Sequence, residues 1–98
     1  MILLVHLWCI QGQEAAFRTY EAAALQIWRE HGGQVLEILT PDATLSTPPV
    51  PHEIQRLRIE SIQAFNAFRS NGRLQSMAAQ RAACIEQTQI FFCPDPGL

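Results

Sequence analysis

Two groups of side chains in this sequence have types and spacing that could do chemistry. In the first, His6, Trp8, Glu37, Arg56 and Arg58 recur at alternate positions of three largely apolar segments. Successive strand residues point to opposite faces. If Leu3, Val5, Leu36, Ile38, Leu57 and Ile59 face a core, then His6, Trp8, Glu37, His52, Arg56 and Arg58 share the other face. With the third segment lying between the first two, Arg56 and Arg58 would have His6 on one side and Glu37 on the other. Guanidinium forks suit a small carboxylate. An imidazole titrating near neutrality suits general acid or base work, which makes His6 the candidate catalytic residue and Trp8, Glu37, Arg56 and Arg58 its substrate-binding neighbours. The same residues equally suit a structural role, with Arg56 and Arg58 paired to Glu37 and Glu60 or to a partner subunit.

The second group is an alternative pocket of Tyr20, Trp28, His31 and Phe65, with Phe17 and Phe68 beside them. Their three- and four-residue steps place them on helix faces turned toward a sheet. Aromatic residues so spaced also make an ordinary core. His31, next to Gly32, could simply complement a helix C-terminus.

Other chemistries find no motif. His6, His31 and His52 are far apart, His52-Glu53 does not extend to H-E-x-x-H, and Cys9, Cys84 and Cys93 form no C-x-x-C pair, so no metal site and no cofactor are expected. An odd number of thiols fits a reducing compartment. The 98 residues carry a formal charge of −2, and all seven basic residues are Arg. No basic patch suited to nucleic acid or an anionic membrane is visible. Met1 to Ile10 is apolar but lacks the charged start and small-residue cleavage site of a signal peptide, and it is too short to span a bilayer. A cytoplasmic protein is expected.

The elements that must position these groups are legible from periodicity. Ile2–Cys9 is apolar at nearly every position, as a central strand covered on both faces would be. Phe17, Tyr20, Ala24, Ile27 or Trp28 and His31 mark a first helix ended by Gly32-Gly33. Val35–Thr40 is a second strand and His52–Glu60 a third, with Glu53 and Gln55 on the face of Leu57 and Ile59. Between them, residues 41–51 hold four prolines and form an extended loop. Ser61 caps a second helix with the stripe Ile62, Phe65 and Phe68; a further helical piece runs from Leu74 to Ala83. Thr88–Cys93 is the last strand, and residues 94–98 a tail. The order βαββαβ predicts one α+β domain over residues 1–98. It is a ferredoxin-like sandwich with a four-stranded antiparallel sheet in the order 4-1-3-2 and both helices on one face. A chain this short buries only about 60 to 65% of its unfolded surface. The apolar residues left on the second face predict a homodimer packed sheet against sheet.

Phe17, Tyr20, His31-Gly32-Gly33 and Val35-Leu36, then Ile59-Glu60-Ser61, Ala64-Phe65, Phe68, Arg81 and Thr88, resemble the DUF1330 family. That family lies in the dimeric α+β barrel superfamily, and the likeness covers most of the chain, although Glu60 stands where the family usually has Pro. The resemblance implies a homodimer of unknown activity. Cousins that are monooxygenases or isomerases without a cofactor imply a small aromatic or carboxylated ligand. It also implies a pocket between sheet and helices. A regulatory or interaction dimer without catalysis is the alternative reading.

Overall fold

The computed structural model describes residues 1–95; residues 96–98 of the expected tail lie outside the described residues. Its elements are β1 (Ile2–Cys9), α1 (Glu14–Glu30), β2 (Gln34–Leu39), β3 (Glu53–Arg58), α2 (Ile62–Arg69), α3 (Gly72–Ser76), α4 (Ala78–Ala82) and β4 (Ile85–Cys93). The strands pair antiparallel in the order β2-β3-β1-β4, the ferredoxin-like arrangement that the segment order predicts. β4 begins three residues earlier than its alternation suggested, and the piece after α2 is two short helices meeting at Met77 rather than one.

The extents, 37 × 36 × 16 Å, are those of one helical layer on one sheet. Leu3, Val5 and Leu7 are buried beneath the helices, while Ile2, Leu4, His6 and Trp8 on the other face keep part of their surface in water. α1 buries the stripe Phe17, Tyr20, Glu21, Ala24, Leu25 and Trp28. α2 contributes Phe65, and its first turn is held by the Ser61 hydroxyl, which accepts the Ala64 amide at 3.1 Å. Ser61 is the cap that the sequence assigns, a feature that contributes about 1 kcal/mol.

β2 departs from simple alternation. Val35 lies across from Leu57 and Glu37 across from Arg56, so Leu36 is an extra residue in a β-bulge. The expectation that Leu36 faces the helices with Ile38 is corrected accordingly: Val35 takes that place, and Glu37 keeps the outer face because the bulge shifts parity by one. Gly33 closes the turn into β2 against the Trp28 indole, whose Nε1–H donates to the Gln34 carbonyl at 3.1 Å.

Candidate functional site

The register lays down the floor of a cavity in three rows. Leu57, Leu3 and Phe92 form the first, Gln55, Val5 and Ile90 the second, and Leu7 and Thr88 the third, in which Glu53, across from Leu7, lies outside the lining. Two residues per row at ~3.4 Å each carry this floor over about 13 Å. α1, α2 and α4 roof a cavity of about 530 Å³ above it, within the usual range for small-molecule sites. Although Ile90 and Phe92 point to the helical side, they are 41% and 43% exposed, so the cavity opens along β4.

Its two ends differ in chemistry. Over the first row stand Trp28, Phe65 and Phe68, with Phe68 edge-on to Trp28 at 5.0 Å, Phe65 edge-on to Phe92 at 5.0 Å and the Arg69 guanidinium over the Phe65 ring at 5.8 Å. Toward the third row the wall becomes polar, with Tyr20, Glu21, Gln55, Arg81 and Thr88. The Gln55 amide donates one hydrogen to Glu21 Oε1 at 2.6 Å and the other to Glu53 Oε2 at 2.8 Å. Glu53 in turn accepts from the Arg18 guanidinium at 2.6 Å. The Arg81 guanidinium donates to the Thr88 hydroxyl. A buried carboxylate is tolerated only when hydrogen-bonded or paired, and both are: Glu53 by Arg18 and Gln55, Glu21 by Gln55.

Burial pushes the Glu21 carboxyl above its ordinary range, and the nearby Glu53 adds to this; the Gln55 hydrogen bond and the Arg81 and Arg18 charges oppose it without cancelling it. Burial likewise pushes the Tyr20 hydroxyl up, against the Arg81 charge. The Cys9 and Cys84 thiols are also held up by burial, which disfavours the reactive thiolate.

Of the alternative-pocket residues, Tyr20, Trp28 and Phe65 line this cavity. His31 does not: it ends α1, with its ring nitrogen 3.1 Å from the Asn71 side-chain amide. Phe17 is fully buried, edge-on to His52 at 4.9 Å. His52, whose amide donates to the Leu7 carbonyl at 2.8 Å, thus sits at the end of the sheet, touching Phe17 and also bordering a small hollow with Trp8.

The outer-face group is spread along the sheet. His6 lies across from Ile54, and Arg56 across from Leu4, so His6 and Arg56 are diagonal rather than adjacent as alternation alone suggested. Arg56 meets Glu37 at 3.4 Å, with both side chains about half exposed. Arg58 lies across from Ile2 and Gln34. His6 sits between rings, 5.4 Å from Phe91 and 6.2 Å from Trp8. Among the described residues no cluster of metal-ligating side chains occurs, and no helix is long and apolar enough to cross a membrane.

Of the polar end of the cavity, sequence reasoning placed only Tyr20 in a candidate pocket. Glu21 interrupts a stripe that is otherwise apolar, and Glu53 and Gln55 carry the inward parity of Leu57 and Ile59. Polar groups at core positions were the available signal; Arg18 and Arg81 had none in spacing.

No protein-family model and no curated protein matches the chain in sequence. Solved structures match in shape. A protein of unknown function from Rhodopseudomonas palustris superposes with a TM-score of 0.76 at 14% identity over 92% of this chain and 77% of its own. A NIPSNAP domain protein from Burkholderia xenovorans gives 0.68 at 13% identity over 96% and 98%. A DABB family protein with a ferredoxin-like fold from Mesorhizobium loti gives 0.69 at 12% identity over 95% and 94%. At these identities the likeness is one of fold.

Proposed function

We propose that this protein binds a small amphipathic metabolite in the cavity between sheet and helices. The ligand's aromatic or aliphatic body lies on Trp28, Phe65 and Phe68, and its polar end among Tyr20, Glu21 and Arg81. The carrying observation is the grading of the wall, aromatic over the first row, where Arg69 stacks on Phe65 as the one charged group, and hydrogen-bonding toward the third. The hollow of about 530 Å³ is open along β4, which gives a small ligand both room and access. Thermal-shift screening with small aromatic alcohols, ketones and acids tests it. A ligand at a hundred times its Kd adds about 2.7 kcal/mol of stability. Ala24→Phe, which fills the cavity from α1, should abolish the shift. A panel that leaves the melting temperature unmoved, or shifts it equally in Ala24→Phe, overturns the reading.

The working unit we propose is a homodimer packed sheet against sheet. Trp8, Leu4, Ile54 and Phe91 support it, since they leave on the outer face an apolar patch that a monomer seldom exposes. A two-fold partner is the simplest cover. Light scattering should give twice the monomer mass at micromolar concentration, and Trp8→Glu should halve it. A wild-type monomer there would remove the dimer and leave the cavity reading intact. The outer-face set of His6, Trp8, Glu37, Arg56 and Arg58 then serves that interface, in line with the Arg56–Glu37 pair and the ring contacts of His6.

A further inference from the structure

We propose that the polar end of the cavity is a proton-transfer site for aryl ketones, in which Glu21 removes a proton from the carbon beside a carbonyl whose oxygen rests on Tyr20 and Arg81. This rests on the cavity being the ligand site and adds what happens there. Three features support it. Glu21 lines the cavity at 6% exposure, and only its Oε1 is taken, by Gln55. Among the described residues Oε2 accepts no hydrogen bond, so a basic oxygen stays available to a ligand. Its raised proton affinity, which burial causes, makes it a stronger base than a carboxylate in water.

The second feature is a donor pair on the same wall. Tyr20 and Arg81 both line the cavity; Arg81 lies beside the Tyr20 hydroxyl and donates to Thr88, and it has no carboxylate partner among the described residues. In a low-dielectric site such donors favour a charge that develops on oxygen during reaction. The third is the aromatic end, which begins one row beyond Gln55, about 7 Å along the strands, within reach of the far edge of a ring joined to the carbonyl through one carbon.

The step balances without a further reactant. The C–H bond breaks, the proton passes to Glu21 Oε2, and the electron pair moves through the C–C bond onto the carbonyl oxygen as an enolate held by Tyr20 and Arg81. Return of the proton to the same carbon gives exchange with solvent; return at a conjugated position gives an isomer. Gln55 acts as a positioning residue, since its two amide hydrogens tie Glu21 to Glu53, and Arg18 balances the charge of Glu53.

Phenylacetone is a suitable probe, because its benzylic protons exchange slowly with D2O near neutral pH. Loss of its benzylic signal by proton NMR, with and without protein, measures the reaction, and thermal shift with the same compound measures binding. At least a tenfold acceleration over buffer is expected. Glu21→Gln should return the rate to background while the phenylacetone shift persists, and Tyr20→Phe should lower the rate several-fold. Gln55→Leu should lower the rate and raise the apparent pKa of its pH profile, a change that loss of fold would not produce. A clear thermal shift with exchange at the buffer rate, or Glu21→Gln as fast as wild type, overturns the proton-transfer role and leaves the cavity as a binding site. No shift and no exchange removes both for this ligand class.

Discussion

Replacing Gly33 by Ala should be among the most damaging single-methyl changes in this protein. A Cβ there would lie 2.3 Å from Trp28 Nε1, 2.4 Å from Cε2 and 2.6 Å from Cδ1. These are atoms of a ring that is 1% exposed, hydrogen-bonded to the Gln34 carbonyl and packed edge-on to Phe68. The ring has nowhere to retreat except into the cavity it walls. Overpacking of this kind costs about 1–3 kcal/mol, and the lost indole hydrogen bond about 1 kcal/mol more. The smaller unfolded-state entropy of Ala returns at most about 1 kcal/mol. A net loss of about 1–4 kcal/mol corresponds to a fall in Tm of roughly 5–30 °C for a domain this small. Urea denaturation followed by circular dichroism measures it, with two glycine controls. Gly32 faces open space but has φ +80°, so Gly32→Ala should cost about 1 kcal/mol through the backbone alone. Gly72, in the first turn of α3 with nothing within 4 Å, should accept Ala with no loss. A Gly33→Ala variant within about 0.5 kcal/mol of wild type, or one less damaged than Gly32→Ala, would refute the steric reasoning. The displaced indole should also weaken any ligand that shifts the wild-type melting temperature.

The remaining predictions concern the buried carboxylates. The Glu21 carboxyl is raised by burial, so the folded state binds its proton more tightly than the unfolded state. Its contribution is most favourable below the ordinary carboxylate range and is lost as pH rises through the raised folded value. Around it stand Gln55 and Glu53 from β3, Arg18 from α1 and Arg81 from α4. Glu21→Gln removes this loss, so its stability relative to wild type should climb between pH 4 and pH 8; a pH-independent difference would count against a buried, proton-hungry carboxyl. Arg18→Ala strips the cation from Glu53, which is 1% exposed. Breaking a fully buried pair costs about 3–5 kcal/mol. With Arg18 itself 55% exposed, water screens part of this, and about 1–2 kcal/mol is expected. Adding Glu53→Gln should recover most of that loss in a double-mutant cycle, and strict additivity would show that the two are not coupled.

Local periodicity determined much of this protein. Apolar runs of period two and stripes of period 3.6 located the four strands, α1 and α2, and Gly32-Gly33 and Ser61 marked the end of α1 and the start of α2. Right-handed crossovers then left few ways to order the strands. Even the inward parity of Glu53 and Gln55 was legible in β3. What they meet was not, because a strand's alternation says which face a side chain takes and nothing about the helix residue above it. Arg18 and Glu21 come from α1, Arg81 from α4 and Thr88 from β4, and only the crossing of those helices over a particular register brings them together. Register decided the outer face as well. One bulged residue at Leu36 turned Val35 inward while Glu37 kept the outer face, and a two-residue offset put Leu4 rather than His6 across from Arg56. The candidate site therefore moved from the ionisable residues that stand out in the sequence to a carboxylate that hides in an apolar stripe. The sequence shows Glu21 as a break in that stripe, and only the fold, by removing the water around it, shows what it meets.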